Sequence, residues 1–202
     1  MEKQTSVEFR GFGKIPRLNR EVWVTEKIDG TNACVVVGED GSIAAQSRSR
    51  LITPEDDNFG FAAWVHDNRE DLLTLGPGYH FGEWWGRGIQ RNYGLQERKF
   101  SLFNTYRWGK AEERPKCCDV VPVIICGTGL GHTVEEALSL LLEHGSYAAP
   151  GFLNPEGVIA YHMAGNMYFK ATLENDDEPK GNKNNKNGNT SDSSGRKGPK
   201  SI

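Results

Sequence analysis

The chain has 202 residues, a length that predicts one domain, and its 37% apolar and 10% aromatic content is enough for a core. A net charge of −3 excludes a globally basic nucleic-acid coat but leaves room for a local basic groove. No apolar run is long enough for a membrane span, the N-terminus has no apolar signal core, and Cys34, Cys117, Cys118 and Cys126 match neither zinc-site nor disulfide spacing, so reduced thiols in a cytoplasmic protein are expected.

Residues 7–20 read as irregular and rich in basic side chains. Two strands are predicted over 21–28 and 33–38, separated by the turn Asp29-Gly30-Thr31-Asn32. Asp40-Gly41 is a hairpin signal leading into a strand over 42–48. Pro54-Glu55-Asp56-Asp57-Asn58 reads as a helix start with acids in its first turn, followed by helical spacing through Phe61, Ala62, Val65, Arg69, Leu72 and Leu73 with a break near Asn68. Gly76-Pro77-Gly78 ends it. Strands over 79–84 and 99–104 enclose a glycine-rich basic loop, Trp84 to Gly94. A strand is predicted over 119–126. The segment Gly127-Thr128-Gly129-Leu130-Gly131 follows, and Thr133-Val134-Glu135-Glu136 reads as a capping box for a helix running to Gly145. The last strands are predicted over 157–162 and 167–172. From Glu174 the composition turns to Asn, Lys, Gly and Ser with no aromatics, so 1–173 reads as the folded domain and 174–202 as a disordered polar tail.

The most informative stretch is Lys27-Ile28-Asp29-Gly30, where an alternating apolar run delivers a lysine to a strand end. A neutral lysine amine is a nucleophile, Asp29 could position a metal or the amine, and Gly30 allows a phosphate to approach the backbone. Glu83, in Phe81-Gly82-Glu83-Trp84, could accept from a ribose hydroxyl. Phe100 and Leu102 share one strand face, which leaves Phe103 on the other, able to stack on a purine. Glu156 opens the apolar strand Gly157-Val158-Ile159-Ala160, and Lys170 lies within Tyr168-Phe169-Lys170-Ala171-Thr172. Taken singly, each has a plainer reading: strand-end acids, a core phenylalanine and a surface lysine.

In this order along the chain, these motifs resemble the covalent nucleotidyltransferase superfamily of ATP-dependent polynucleotide ligases and RNA capping enzymes. The likeness is greatest to RNA ligases of the T4 RNA ligase 2 type. It is carried by Thr25-Glu26-Lys27-Ile28-Asp29-Gly30-Thr31-Asn32 and by Gly82-Glu83 followed by Gly86, Gly88-Ile89-Gln90, and it spans roughly residues 9–173. The resemblance implies an α+β nucleotidyltransferase (ATP-grasp-like) domain of antiparallel sheets flanked by helices, with no OB domain. It also implies ATP and Mg2+ (or Mn2+) as cofactors, RNA 5′-phosphate and 3′-hydroxyl ends as substrates, and a lysyl-AMP intermediate on Lys27.

By the same resemblance Glu26 and Ile28 lie beside the adenine, Phe103 stacks on it, Glu83 binds the ribose and Arg48 the phosphates. Asn32 orders the nucleophile or the metal waters. Asp29, Glu83 and Glu156 surround the metal through its waters, and Lys170 holds the α-phosphate. The chain departs from the family pattern at Thr172, where a second lysine of a K-x-K motif is usual, with Arg50, Arg87 or a tail residue as candidate substitutes. It also has Asn104 where the family often has Asp. The expected lack of an appended duplex-clamping domain makes a partner protein supplying substrate grip a further expectation. A capping-type guanylyltransferase, a DNA ligase and a non-catalytic RNA-binding relic of the fold are the alternatives. A dinucleotide-binding reading of Gly127–Gly131 fails because its third glycine comes one residue early for G-x-G-x-x-G.

Overall fold

The computed structural model describes residues 7–174 and residue 176. Its strands form two sheets. The first has the order β10-β9-β1-β8, with β1 over Glu21–Lys27, β8 over Val123–Thr128, β9 over Gly157–His162 and β10 over Met167–Thr172. The second has the order β4-β3-β2-β5-β6-β7, with β2 over Thr31–Val37, β3 over Ile43–Ser47, β4 over Leu51–Ile52, β5 over Gly78–Gly86, β6 over Arg98–Leu102 and β7 over Cys118–Val120. Every pairing is antiparallel except β6 with β7.

Strand periodicity decides what each face carries. In β1, Val22, Val24 and Glu26 are buried while Trp23, Thr25 and Lys27 are partly exposed on the opposite face. Helix α4 (Leu130–His144) covers the buried face, placing Ala137 and Leu141 against Val22, Val24, Val158 and Ala160. The second sheet has its own cover, helices α1 (Phe61–Asp67) and α2 (Arg69–Leu73). There Ala33, Val35 and Val37 join Phe61, Val65, Leu72, Trp84, Phe100 and Leu102 in a separate core. Phe61 lies 5.4 Å from Trp84 and 5.1 Å from Phe100 between ring centroids, in the tilted arrangement that aromatic quadrupoles favour. A short helix, α3, spans Thr105–Trp108.

The chain passes between the sheets twice within 21–172, through residues 28–30 after β1 and through Val121-Pro122 after β7. The crossings lie side by side. The Glu26 N–H donates to the Pro122 carbonyl at 2.9 Å, and Ile28 and Val121 share a third apolar cluster with Trp85, Tyr93 and Ala149.

Three local expectations are corrected. The helix read from Pro54–Asn58 begins at Phe61 instead, because the acids act from outside it: Asp57 accepts from the N–H groups of Ala62 and Ala63 at 2.8 and 3.0 Å. The single strand over 119–126 is two, broken at Pro122, which has no N–H to donate, and its halves join different sheets. The helix read as opening at Thr133 opens at Leu130. Thr133 is a buried helical residue whose hydroxyl donates to the Gly129 carbonyl at 2.8 Å. β8 and β9 flank β1 and never pair with each other, so Gly127–Gly131 is no dinucleotide loop.

The 174–202 tail lies almost wholly outside the described residues. Its first residues still contact the folded part: the Thr172 N–H donates to Asp176 Oδ1 at 2.9 Å. Among the described residues no helix is long and apolar enough to cross a membrane.

Candidate active site

Lys27 is the last residue of β1, on the face away from α4. Its ammonium pairs with the Glu156 carboxylate from the residue just before β9. The register explains the meeting, since Lys27 is directly opposite Gly157 and Gly157 opposite Thr172. Gly157 is required there: a Cβ would fall 2.2 Å from the Ala171 carbonyl oxygen.

The turn after Lys27 carries the chain into the second sheet, where Asn32 in β2 is opposite Glu83 in β5. Glu83 accepts from the Gly30 N–H at 3.1 Å. Gly30 packs so closely that a Cβ would lie 2.5 Å from the Trp84 carbonyl oxygen and 2.7 Å from the Trp85 Cβ. Arg48, just past β3, reaches the same place. Lys27, Asp29, Gly30, Thr31, Asn32, Arg48, Glu83 and Gln90 together line a pocket of about 280 Å3. A larger hollow of about 680 Å3 beside α3 is lined by Asn104, Tyr106, Arg107, Lys110 and Glu113; there Lys110 pairs with Glu113 at 2.7 Å and Arg107 donates to the Leu75 carbonyl at 2.9 Å.

Glu83 is 8% exposed. Burial pushes its carboxyl up to about 7, Glu156 and Asp29 push the same way, and Lys27 and the Gly30 N–H oppose them. Among the described residues no three His, Cys, Asp or Glu side chains are close enough to hold a metal directly. This donor set suits a hydrated magnesium or manganese ion, because magnesium sheds its waters reluctantly and is held by one or two carboxylates plus substrate oxygens.

The site residues expected from sequence fall into two groups. Lys27, Asp29, Asn32, Arg48 and Glu83 converge on the pocket, and Glu156 joins them through Lys27. Glu26 and Ile28 do not line it. The Glu26 carboxylate is buried on the opposite side of β1, accepting from Ser146 Oγ at 2.7 Å and from the N–H groups of Tyr147 and Ala148, both at 2.8 Å. Burial raises its carboxyl from the usual range against those three hydrogen bonds. The Ile28 side chain is core.

Phe103 pairs with Phe81, donating its N–H to the Phe81 carbonyl at 3.0 Å, and is 40% exposed on the cleft side of the second sheet, outside the pocket wall. Lys170 is exposed in β10, opposite Ile159, on the same sheet face as Lys27. Two strand spacings and two residues of rise put their Cα atoms about 12 Å apart. Of the candidates to replace the lysine missing at Thr172, Arg50 is tied to Asp56 at 2.6 Å and Arg87 points outward.

Gln90 and Thr31 line the pocket without having been assigned a role from sequence. Their nearest signal was the motif containing them. The loop holding Gln90 folds unusually: Gln90, Asn92 and Tyr93 have φ of 43°, 60° and 50°, and Gly86, Gly88 and Gly94 are also left-handed. Non-glycine residues in that region cluster at functional sites. Tyr93, buried beside Trp85, accepts the Asp29 N–H at 2.8 Å.

Two sheets meeting across a cleft, with a lysine at a strand end facing carboxylates of both, define an α+β nucleotidyltransferase domain. Solved structures of Naegleria gruberi RNA ligase share this fold. Two substituted forms with ATP and manganese superpose with TM-scores of 0.55 and 0.58, at 21% and 22% identity over 76% and 77% of this chain and 49% and 50% of theirs. A form with AMP and manganese gives 0.51 at 22% identity over 77% of this chain. The chain thus spans about half the length of those structures. No curated protein matches it. The RNA ligase family matches residues 20–176, and the chain belongs to that family.

Proposed function

We propose that the chain is an ATP-dependent RNA ligase that joins 5′-phosphate and 3′-hydroxyl ends through lysyl-AMP. The observation that carries this reading is the convergence of Lys27, Asp29, Arg48 and Glu83 on one pocket, with Glu156 on the lysine, in a member of the RNA ligase family. Lys27 Nζ attacks the α-phosphorus of ATP. A P–N bond forms, the bond to the bridging oxygen breaks, and pyrophosphate leaves with that oxygen.

The Lys27 ammonium must give up a proton before Nζ can attack, and Glu156 Oε2, its hydrogen-bond partner, is the acceptor in place to take it. Arg48 faces the phosphates and Glu83 the ribose. Phe103 on the cleft side offers a ring to the adenine, and Lys170 supplies positive charge farther along the same sheet face. Asp29, Glu83 and Glu156 would hold a magnesium or manganese ion through its waters. Such an ion, when bound, neutralises phosphate charge as the transition state forms. The 5′-phosphate of an RNA end then takes AMP from Lys27, and a 3′-hydroxyl displaces AMP to seal the strand. The free cysteines at 34, 117, 118 and 126 support a cytoplasmic setting, and RNA repair is the biological role that fits. A partner protein that grips the RNA is part of the proposal.

Incubation with ATP labelled at the α-phosphate tests it. The wild type should acquire AMP that survives alkali and is lost in acid, as a phosphoramidate is, and Lys27→Ala should acquire none. AMP on the Lys27→Ala protein would remove Lys27 as nucleophile, and labelling from GTP alone would identify a guanylyltransferase.

A further inference from the structure

Arg91 lies outside the pocket wall yet touches both segments that present its reacting groups. Its Nε donates to Asp29 Oδ2 at 3.1 Å, in the turn two residues after Lys27. Its Nη1 donates to the Asn154 carbonyl at 3.2 Å, two residues before Glu156. Its Nη2 lies 3.8 Å from Glu174, just beyond β10. One planar guanidinium therefore bridges the exit of β1 and the approach to β9, and reaches past the end of β10. Only a forked donor can make divergent contacts of this kind; a lysine ammonium is a single point on a flexible stem.

The backbone around Arg91 is bent for this purpose. Its neighbours Gln90 and Asn92 are both left-handed, and Asn92 closes the loop by accepting the Gly88 N–H at 2.8 Å. Tyr93, next along, fixes the same turn from its other side through the Asp29 N–H. Thr172, which faces Lys27 across Gly157, is neutral and has its hydroxyl committed to the Glu174 carbonyl at 2.9 Å, so it makes no such bridge.

We infer that Arg91 is the positioning residue of the site, holding the Lys27 turn and the Glu156 approach at a fixed separation. It acts through those segments, since its contacts are to Asp29, Asn154 and Glu174 and not to Lys27 or Glu156. The inference rests on the ligase reading only for its rate measurement.

The test compares Arg91→Met and Arg91→Lys with wild type in the full chain. Hydrogen exchange without nucleotide should rise in the Arg91→Met protein by about tenfold in peptides covering both 28–32 and 152–157, and stay unchanged in α4 and α1. In single-turnover AMP labelling, the maximal rate should fall about 100-fold, as ångström-scale misplacement of reacting groups does, with the half-saturating ATP concentration within about threefold of wild type. Arg91→Lys, a single-point donor, should recover only a small part of the rate and still show raised exchange in both segments, which keeps the test open should Arg91→Met fail to fold. Unchanged exchange, or a rise in one segment alone, would overturn the coupling. A raised half-saturating concentration at unchanged maximal rate would make Arg91 a nucleotide contact instead. If wild type itself takes no AMP, the ligase reading fails, and the exchange measurement still decides Arg91.

Discussion

At the scale of single residues, Glu83 carries the pH dependence of the site. Its carboxyl, raised to about 7 by burial, binds a proton in the folded state that the unfolded chain releases near 4.5. The folded state binds more protons between these values, so the stabilisation is complete below the lower and is lost as pH rises through the upper. Wild type should therefore lose thermal stability relative to Glu83→Gln as pH is taken from 5 to 8. The glutamine keeps an acceptor for the Gly30 N–H and cannot ionise. Parallel melting curves for the two proteins across that range would remove Glu83 as the titrating group. The same ionisation favours metal binding at the upper end, since a carboxylate must be deprotonated to attract the cation.

Gly30, like Gly157, is a residue whose identity is dictated locally. The backbone of Trp84 stands where a side chain would go, so Gly30→Ala must push β1's exit away from β5 and Glu83. Overpacking of this kind costs about 1–3 kcal/mol. Activity should fall further than stability, seen as lost AMP labelling in a protein with a cooperative melt.

Among the elements, most strands were legible in the sequence, whereas the short β4, the break at Pro122 and the helix starts were not. Alternation in Val22-Trp23-Val24 and the Phe100/Leu102 spacing report faces directly, because a strand's pattern is a property of the strand. Where a helix begins is decided by which groups accept its first N–H donors. Asp57 does so for α1 from a position that sequence reads as already helical. Asp57→Ala should cost about 0.5–2 kcal/mol, the usual worth of a side chain satisfying helix N–H groups, measured by denaturant unfolding. An unchanged midpoint would show that water replaces it.

The site divides the same way. Lys27 and Asp29 stood out because charged residues at a strand end leave a local mark, and Glu83 because a carboxylate within an apolar strand does the same. That Glu26 and Ile28 turn away from the pocket wall was not legible, because the partners that hold them, residues 146–148 and the third apolar cluster, are distant in sequence. Arg91 was legible as a basic residue near the cleft, but its bridge between two segments and the contact of Tyr93 were not, because both depend on a loop conformation that no periodicity announces.

For the whole molecule, two cores under two covers make the cleft a seam between separately supported sheets. All the pocket's lining lies within residues 27–90. Deleting residues 180–202 should accordingly leave AMP labelling nearly unchanged. The Lys and Arg residues removed would make RNA binding less steeply salt-dependent, since fewer counterions are released. A truncated protein unable to take AMP would show that those residues complete the site.

The two neighbouring passages between sheets set a pivot. Any tilt of one sheet against the other turns about residues 28–30 and 121–122, and displacement grows with distance from that axis. Lys27 sits beside the axis, whereas Lys170 in β10 and Tyr79 near the start of β5 ride on long arms. By geometry, displacement in such a tilt is smallest at Lys27 and largest at that rim. The lysine stands where the two sheets are joined, not where they part.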